Sequence, residues 1–179
     1  MSYFYKINIA GLERELPLCP ISDTTSIGAF IIFGDVEMTV AAAAEILKKA
    51  PEFDYIVTPE TKSIPLAYEM SRQSGKKYFV ARKKAKLYMK DPVTVTVNSI
   101  TTKGEQTLIL DGNDGEEIRG KKVLIIDDVI STGESLIAVE KLVEKFDADI
   151  VGKAAILAEG SAADRDDIIF LQKLPLFTK

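Results

Sequence analysis

The stretch Val123-Leu124-Ile125-Ile126-Asp127-Asp128-Val129-Ile130-Ser131-Thr132-Gly133-Glu134-Ser135 decides how this chain folds and where its chemistry sits. Residues 123–126 are an unbroken apolar run, the pattern of a central strand buried on both faces. The strand is expected to end in two adjacent carboxylates, and a turn of small residues then opens a helix. Side-by-side carboxylates at a strand end are costly unless a cation or hydroxyls meet them. Ser131, Thr132, Gly133 and Ser135 surround a helix N-terminus, where free N–H groups and the helix dipole favour an anion. Gly133 lets the backbone turn tightly and come close to a phosphate. Together these pieces suit a ligand with a phosphate at one end and hydroxyls at the other. Taken alone, Thr132-Gly133-Glu134-Ser135 reads equally well as a plain helix cap.

Outward from this segment, strands alternate with helices. The helix after the turn runs to about Phe146, with Leu136, Val139, Val143 and Phe146 on one side, and Ile150–Leu157 is the next strand. Upstream, Phe4–Ile9 reads as a strand, followed by a mixed stretch around Pro17 and Pro20. Thr39–Ala50 reads as a helix, with Val40, Ala43, Ala44 and Leu47 marking its buried face. Tyr55–Thr58 and Tyr78–Ala81 are short strands flanking a helix from about Ile64 to Ser74. Val93–Asn98 and Thr107–Leu110 predict an antiparallel hairpin turning at Lys103-Gly104, and Asp111–Lys122 a polar connection. The pattern is α/β, a Rossmann-like parallel sheet flanked by helices, with ligands bound outside the carboxyl ends of the strands.

Composition narrows the chemistry. At 179 residues the chain fits one domain, and 46% hydrophobic residues suffice for a real core. The net charge of −4 argues against a nucleic-acid partner. Histidine is absent, which excludes Ser-His-Asp catalysis and histidine metal sites. The single cysteine, Cys19, excludes a disulfide framework and a cysteine zinc cage. A metal here must be a hard cation on oxygen ligands. No signal-like or membrane-spanning apolar run occurs, so a cytoplasmic protein without membrane association is expected.

The 123–135 stretch resembles the phosphoribosyl pyrophosphate (PRPP) signature of the type I phosphoribosyltransferases: apolar residues, two acids, then a Thr-Gly turn. The order of elements fits across about residues 30–160. The resemblance implies Asp127 and Asp128 as the catalytic pair holding the ribose hydroxyls, and Ser131, Thr132, Gly133, Glu134 and Ser135 as the 5′-phosphate turn. It also implies a core at about 39–158, a small hood at 1–38 and 159–179, a flexible flap at about 87–110, and a homodimer. Pro59-Glu60-Thr61-Lys62-Ser63 is similar to the family's pyrophosphate loop, which often contains a non-proline cis peptide, with Ser63 in place of the usual Gly. Thr61 or Ser63 as a helix cap is the other reading. Ala81-Arg82-Lys83-Lys84-Ala85-Lys86-Leu87 resembles the basic segment that contacts pyrophosphate, against a merely solvated charge run. The pyrophosphate set is then Glu60, Thr61, Lys62, Ser63, Arg82, Lys83 and Lys86. Phe33-Gly34-Asp35-Val36 resembles the Phe-Arg-Asp-Ile base-pocket stretch of adenine phosphoribosyltransferases, although Phe33 reads equally as core.

The expectation is therefore an enzyme of purine salvage that joins adenine to PRPP, giving AMP and pyrophosphate. Magnesium would be held mainly by PRPP and reach Asp127 and Asp128 through water. The base would lie among Phe33, Asp35, Val36, Val129, Ile130 and Glu159. Related enzymes that take 6-oxopurines commonly place a lysine where this chain has Glu159-Gly160, and an ionised carboxylate suits adenine's amino group. The alternatives are a xanthine, hypoxanthine or guanine enzyme, which the 95–110 hairpin favours, an orotate enzyme, and a non-catalytic PRPP-binding regulator of purine genes.

Overall fold

A computed structural model describes residues 4–98 and 105–178. The chain opens with strands β1 (Phe4–Ile9), β2 (Leu12–Pro20) and β3 (Thr25–Gly28), then helix α1 (Val36–Lys49). β4 (Tyr55–Pro59), α2 (Ile64–Ser74) and β5 (Tyr78–Ala81) follow, and β6 (Val93–Asn98) and β7 (Glu105–Leu110) form a hairpin. The short α3 (Gly112–Ile118) leads into β8 (Lys122–Ile130), α4 (Glu134–Glu144) and β9 (Asp149–Glu159). A 3-10 turn at Gly160–Asp164 precedes β10 (Ile169–Leu174) and β11 (Phe177–Thr178).

Five strands make a parallel sheet in the order β10-β9-β8-β4-β5. The central strand is β8, whose residues Val123, Leu124, Ile125 and Ile126 are each no more than 1% exposed. Their side chains alternate between two cores. Leu124 and Ile126 belong to one with Met38, Ile46, Leu66 and Met70, while Val123 and Ile125 join Leu136, Val139, Leu142 and Phe146 in the other. Burial of each such aliphatic contributes about 1.5–3 kcal/mol, so a doubly covered strand keeps no polar position in this stretch. A separate antiparallel sheet, β1-β2-β3-β11, seats Ile7, Ile9 and Leu16 against the first core. The β6-β7 hairpin buries Val95, Leu108 and Leu110 against the second. No helix among the described residues is long and apolar enough to cross a membrane.

Several expectations change. The acidic pair lies inside β8, which continues to Ile130, rather than beyond the strand's end. Helix α1 starts three residues earlier than expected because the Asp35 carboxylate caps it, accepting a hydrogen bond from Met38 N–H. Its buried face is Met38, Thr39, Ala42, Ala43 and Ile46, and Val40 is exposed. The alanine run explains the error, since a small side chain fits either phase of the stripe. The mixed stretch around Pro17 and Pro20 is the strand β2, and the polar connection 111–122 contains α3. The C-terminal segment divides: β10 joins the parallel sheet and β11 the antiparallel sheet of β1, β2 and β3. The expected turn at Lys103-Gly104 lies outside the described residues.

One close approach tests how α3 is seated. A Cβ placed on Gly115 would come within 2.1 Å of the buried Phe146 ring at the end of α4. Gly115→Ala should therefore lower stability by about 1–3 kcal/mol, the usual cost of overpacking. Urea unfolding reads the change. An unaltered midpoint would mean that α3 does not rest on Phe146.

Candidate active site

The direction of sheet growth reverses between β4 and β8, and such a crevice is where open α/β sheets bind ligands. The backbone ladder joining the two strands ends at Val57–Ile125. Beyond it lies a cleft of about 750 Å³. One wall is Pro59, Glu60, Thr61 and Lys62, between β4 and α2. The other is Asp127, Asp128 and Val129 of β8, with Ser135 from α4, and Lys83, Gln106, Thr107 and Leu108 complete the lining. A smaller cavity of about 100 Å³ lies within residues 129–136 and shares Asp127, Val129 and Ser135 with the cleft.

At the cleft, Asp128 is only 3% exposed, and its Oδ2 stands 3.0 Å from Lys62 Nζ in an ion pair that lacks hydrogen-bond alignment. Asp128 N–H donates to Asp127 Oδ1 at 2.8 Å. Desolvation, reinforced by the neighbouring Asp128 carboxylate, raises the Asp127 carboxyl well above its ordinary range, and the Lys62 charge opposes the shift. Among the described ion pairs, Lys62 is the one cation that meets this acid pair. The pair is built to receive hydroxyl donors or a cation.

The turn that follows presents backbone rather than side-chain caps. Gly133 occupies the N-cap of α4 in a left-handed conformation (φ 80°), and no side chain caps the helix, so Ser131 and Thr132 are not spent on that role. Arg165 Nη1 lies 2.8 Å from where a Cβ on Gly133 would sit, so a larger residue would meet both strain and a cation there. Arg165 is fixed through Nε and Nη2 by Asp167, at 2.8 and 2.7 Å. Lys153 Nζ contacts Asp167 at 2.6 Å and Glu140 at 2.7 Å. These hydrogen bonds hold the Asp167 carboxyl well below the usual carboxylate range.

Across the cleft, the Glu60–Thr61 peptide bond is cis. Ser63 starts α2 without capping it and is instead buried. Glu60 Oε2 accepts a hydrogen bond from Lys83 N–H at 2.9 Å and lies 3.3 Å from Arg82 Nε. That bond, with the charges of Arg82, Lys86 and Lys83, lowers the Glu60 carboxyl. Glu60 and Arg82, both expected on pyrophosphate, are thus paired with each other, and the carboxylate anchors the basic run. Arg82 also exchanges backbone hydrogen bonds with Ile109 of β7, at 2.7 and 2.8 Å. Lys83 faces the cleft, whereas Arg82 and Lys86 do not line it.

The expected base residues are not brought together. Val129 lines the cleft and Ile130 the small cavity, but Asp35 and Val36 line a separate apolar cavity of about 400 Å³ beside Tyr68. Asp35 is occupied by Arg14, which donates through Nε and Nη2 at 2.7 and 2.9 Å, and by the α1 cap. Those bonds, Arg14's first, hold its carboxyl below the ordinary range. Phe33 is 50% exposed, so it is not core, and Glu159 is buried at the end of β9. Sequence reading missed Gln106, Thr107 and Leu108 as lining residues. Gln106 Oε1 accepts from Ser135 Oγ at 3.2 Å, which ties the hairpin to the turn. β7 runs from polar to apolar without alternation, so no local pattern marks these three residues.

Residues 35–175 match the phosphoribosyl transferase domain family, and the chain belongs to it. A hypoxanthine/guanine phosphoribosyltransferase of Methanococcus voltae is 33% identical over 146 residues, covering 82% of this chain and 72% of that protein. An adenine phosphoribosyltransferase of Cenarchaeum symbiosum is 37% identical over 128 residues, 69% of this chain and 72% of that protein. The fold matches the crystal structure of adenine phosphoribosyltransferase from Thermoanaerobacter pseudethanolicus with a TM-score of 0.66 and 21% identity, over 96% of this chain and 95% of that one. The chain is a phosphoribosyltransferase with the type I fold.

The carboxylate pair makes a signed prediction for the empty protein. A raised acid pKa means that the folded state binds a proton more tightly than the unfolded chain, so stability falls as pH rises from the ordinary carboxylate pKa to the raised one. Asp127→Asn removes that loss. The variant should be more stable than the parent at pH 7–8, with the gain shrinking to nothing below about pH 4, the unperturbed value. Thermal unfolding across pH checks this, and a pH-independent difference would contradict the assigned proton.

Proposed function

We propose that the chain is a purine phosphoribosyltransferase that transfers the 5-phosphoribosyl group from PRPP to adenine, releasing pyrophosphate and forming AMP. The observation that carries this is an acid pair on β8 flanked by an anion-binding turn on one side and a lysine-bearing loop on the other. In this reading the 5′-phosphate takes N–H and hydroxyl donors of residues 131–135, and the ribose hydroxyls take Asp127 and Asp128. Pyrophosphate takes the 59–62 loop with Lys62 and Lys83, while Ser63 is buried behind it.

Cleavage of the anomeric C–O bond puts positive charge on the ribose ring and negative charge on the leaving pyrophosphate. Asp127 and Asp128 stabilise the first electrostatically, and Lys62 and Lys83 the second. Lys62 can serve only by leaving Asp128, whose charge the ribose hydroxyls then meet. No group of three or more metal-ligating side chains occurs among the described residues, whereas buried Asp128, with an unaligned oxygen, beside half-buried Asp127 suits a cation that brings its own phosphate ligands. Magnesium bound with PRPP would supply charge neutralisation at the pyrophosphate, with Asp127 and Asp128 holding its water shell. The hairpin within 87–110 acts as the flap that excludes water from PRPP, the β1-β2-β3-β11 sheet forms the hood, and the enzyme is a homodimer.

Adenine is favoured by Glu159. Ala158 pairs with Ile130, so Glu159 stands at the strand-end level of the Ser131 turn, where an acceptor carboxylate suits an amino group and disfavours a 6-oxo group. A 6-oxopurine is the second reading, supported by the hypoxanthine/guanine enzymes among the relatives. Pyrophosphate release measured with adenine, hypoxanthine, guanine, xanthine and orotate should be fastest with adenine. Preference for a 6-oxopurine would move the base-reading role away from Glu159. Absence of turnover with tight PRPP binding would instead indicate a regulator.

The double change Asp127→Asn with Asp128→Asn should lower turnover by on the order of 10²-fold or more while the protein stays folded. Retained activity would remove the ribose from this pair. Lys83→Ala should weaken PRPP and pyrophosphate but leave adenine affinity within about twofold, because only one ligand loses a charge-assisted contact. The opposite pattern would place the basic run on the base.

A further inference from the structure

The two halves of the proposed PRPP site sit on different strands, and something must set their separation. Backbone pairing does not, because the β4–β8 ladder stops at Val57–Ile125, just short of the residues that line the cleft. Beyond that point the described contacts between the two halves include the Lys62–Asp128 ion pair, which the proposed reaction must open, and one buried hydroxyl bridge that it need not. Thr58, fully buried, places Oγ1 3.0 Å from the carbonyl of Ile126, the residue before Asp127. The same oxygen lies 2.7 Å from Ser63 Oγ, which is 1% exposed and lies 3.0 Å from the Pro59 carbonyl.

These two hydroxyls stand at the two ends of the loop 59–62, whose every residue lines the cleft. Their mutual bond closes the loop into a ring. The bond to Ile126 fastens that ring to the strand carrying the acids. Each hydroxyl has one proton and the two carbonyls only accept, so one proton is shared between a carbonyl and the other hydroxyl, and both protons are used within this cluster rather than on a ligand.

Resting on the proposed function, we infer that Thr58 and Ser63 are positioning residues that fix the distance between the pyrophosphate loop and the Asp127-Asp128 strand. They touch no substrate. A ligand spanning both halves benefits from this spacing because binding one end prepays the placement of the other. A ligand that fills one half does not.

That asymmetry separates positioning from mere support of the fold. Binding of PRPP, pyrophosphate and ribose 5-phosphate, each with magnesium, is measured by calorimetry for the parent protein and for Thr58→Val, Thr58→Ser and Ser63→Ala. Thr58→Val and Ser63→Ala should each weaken PRPP by about tenfold or more, through lost placement of the second end. Both should leave pyrophosphate and ribose 5-phosphate within about twofold, since each half keeps its own donors. Thr58→Ser keeps the hydroxyl and should bind all three as the parent does. Should Thr58→Val fail to fold, Ser63→Ala carries the test, since it removes a single oxygen. Equal losses of all three ligands would show a collapsed loop and overturn the inference, as would unchanged PRPP binding. A parent protein that binds no PRPP would overturn the proposed function and this inference together, whereas the other two outcomes leave the function standing.

Discussion

Two adjacent carboxylates held within a buried strand constrain everything around them. Asp127 and Asp128 are tolerable there only because the preceding four aliphatics lock β8 between two cores and because the lattice of parallel strands opens beside them. Removing charges from water costs several kcal/mol each, which the Lys62 contact offsets in part and a protonated Asp127 avoids. The site is therefore incomplete by construction. Hydroxyls or a cation suit the acids, and the neighbouring N-terminus of α4, with its free N–H groups, suits an anion.

The hairpin is integrated more tightly than a loose cover. Its β7 strand is stitched to Arg82 by paired backbone bonds and reaches Ser135 through Gln106, so it touches both the basic run and the phosphate turn. Glu60 then links that basic run to the 59–62 loop. Charge arriving at any one of these places acts on groups the others depend on. Hairpin, loop and turn are thus joined by direct contacts around the cleft.

Legibility in the sequence followed the locality of the signal. The β8 run, α2 and β5 were readable because their patterns are continuous and their neighbours in the sequence are their neighbours in space. Strands β2, β3, β10 and β11 were not, since prolines or polar residues break their patterns and β10 and β11 pair with strands set by tertiary packing. Asp127, Asp128, Lys62 and Ser135 could be named from motif order, and the structure gathers them in one cleft. The cap role of Asp35 was not legible because a carboxylate before a helix looks alike whether it reads a ligand or, as here, bonds Met38 N–H and Arg14. Arg165 reaches Gly133 only through the chain's return after β9, and no local pattern announces it.

The central claim is that one ligand bridges the turn and the acid pair. The most direct measurement is a crystal structure of the protein with magnesium and PRPP. The account predicts the 5′-phosphate on the backbone N–H groups of residues 131–135, the ribose hydroxyls on Asp127 and Asp128, and Lys62 Nζ moved from Asp128 to the pyrophosphate. A 5′-phosphate bound elsewhere, with Lys62 still on Asp128, would contradict it.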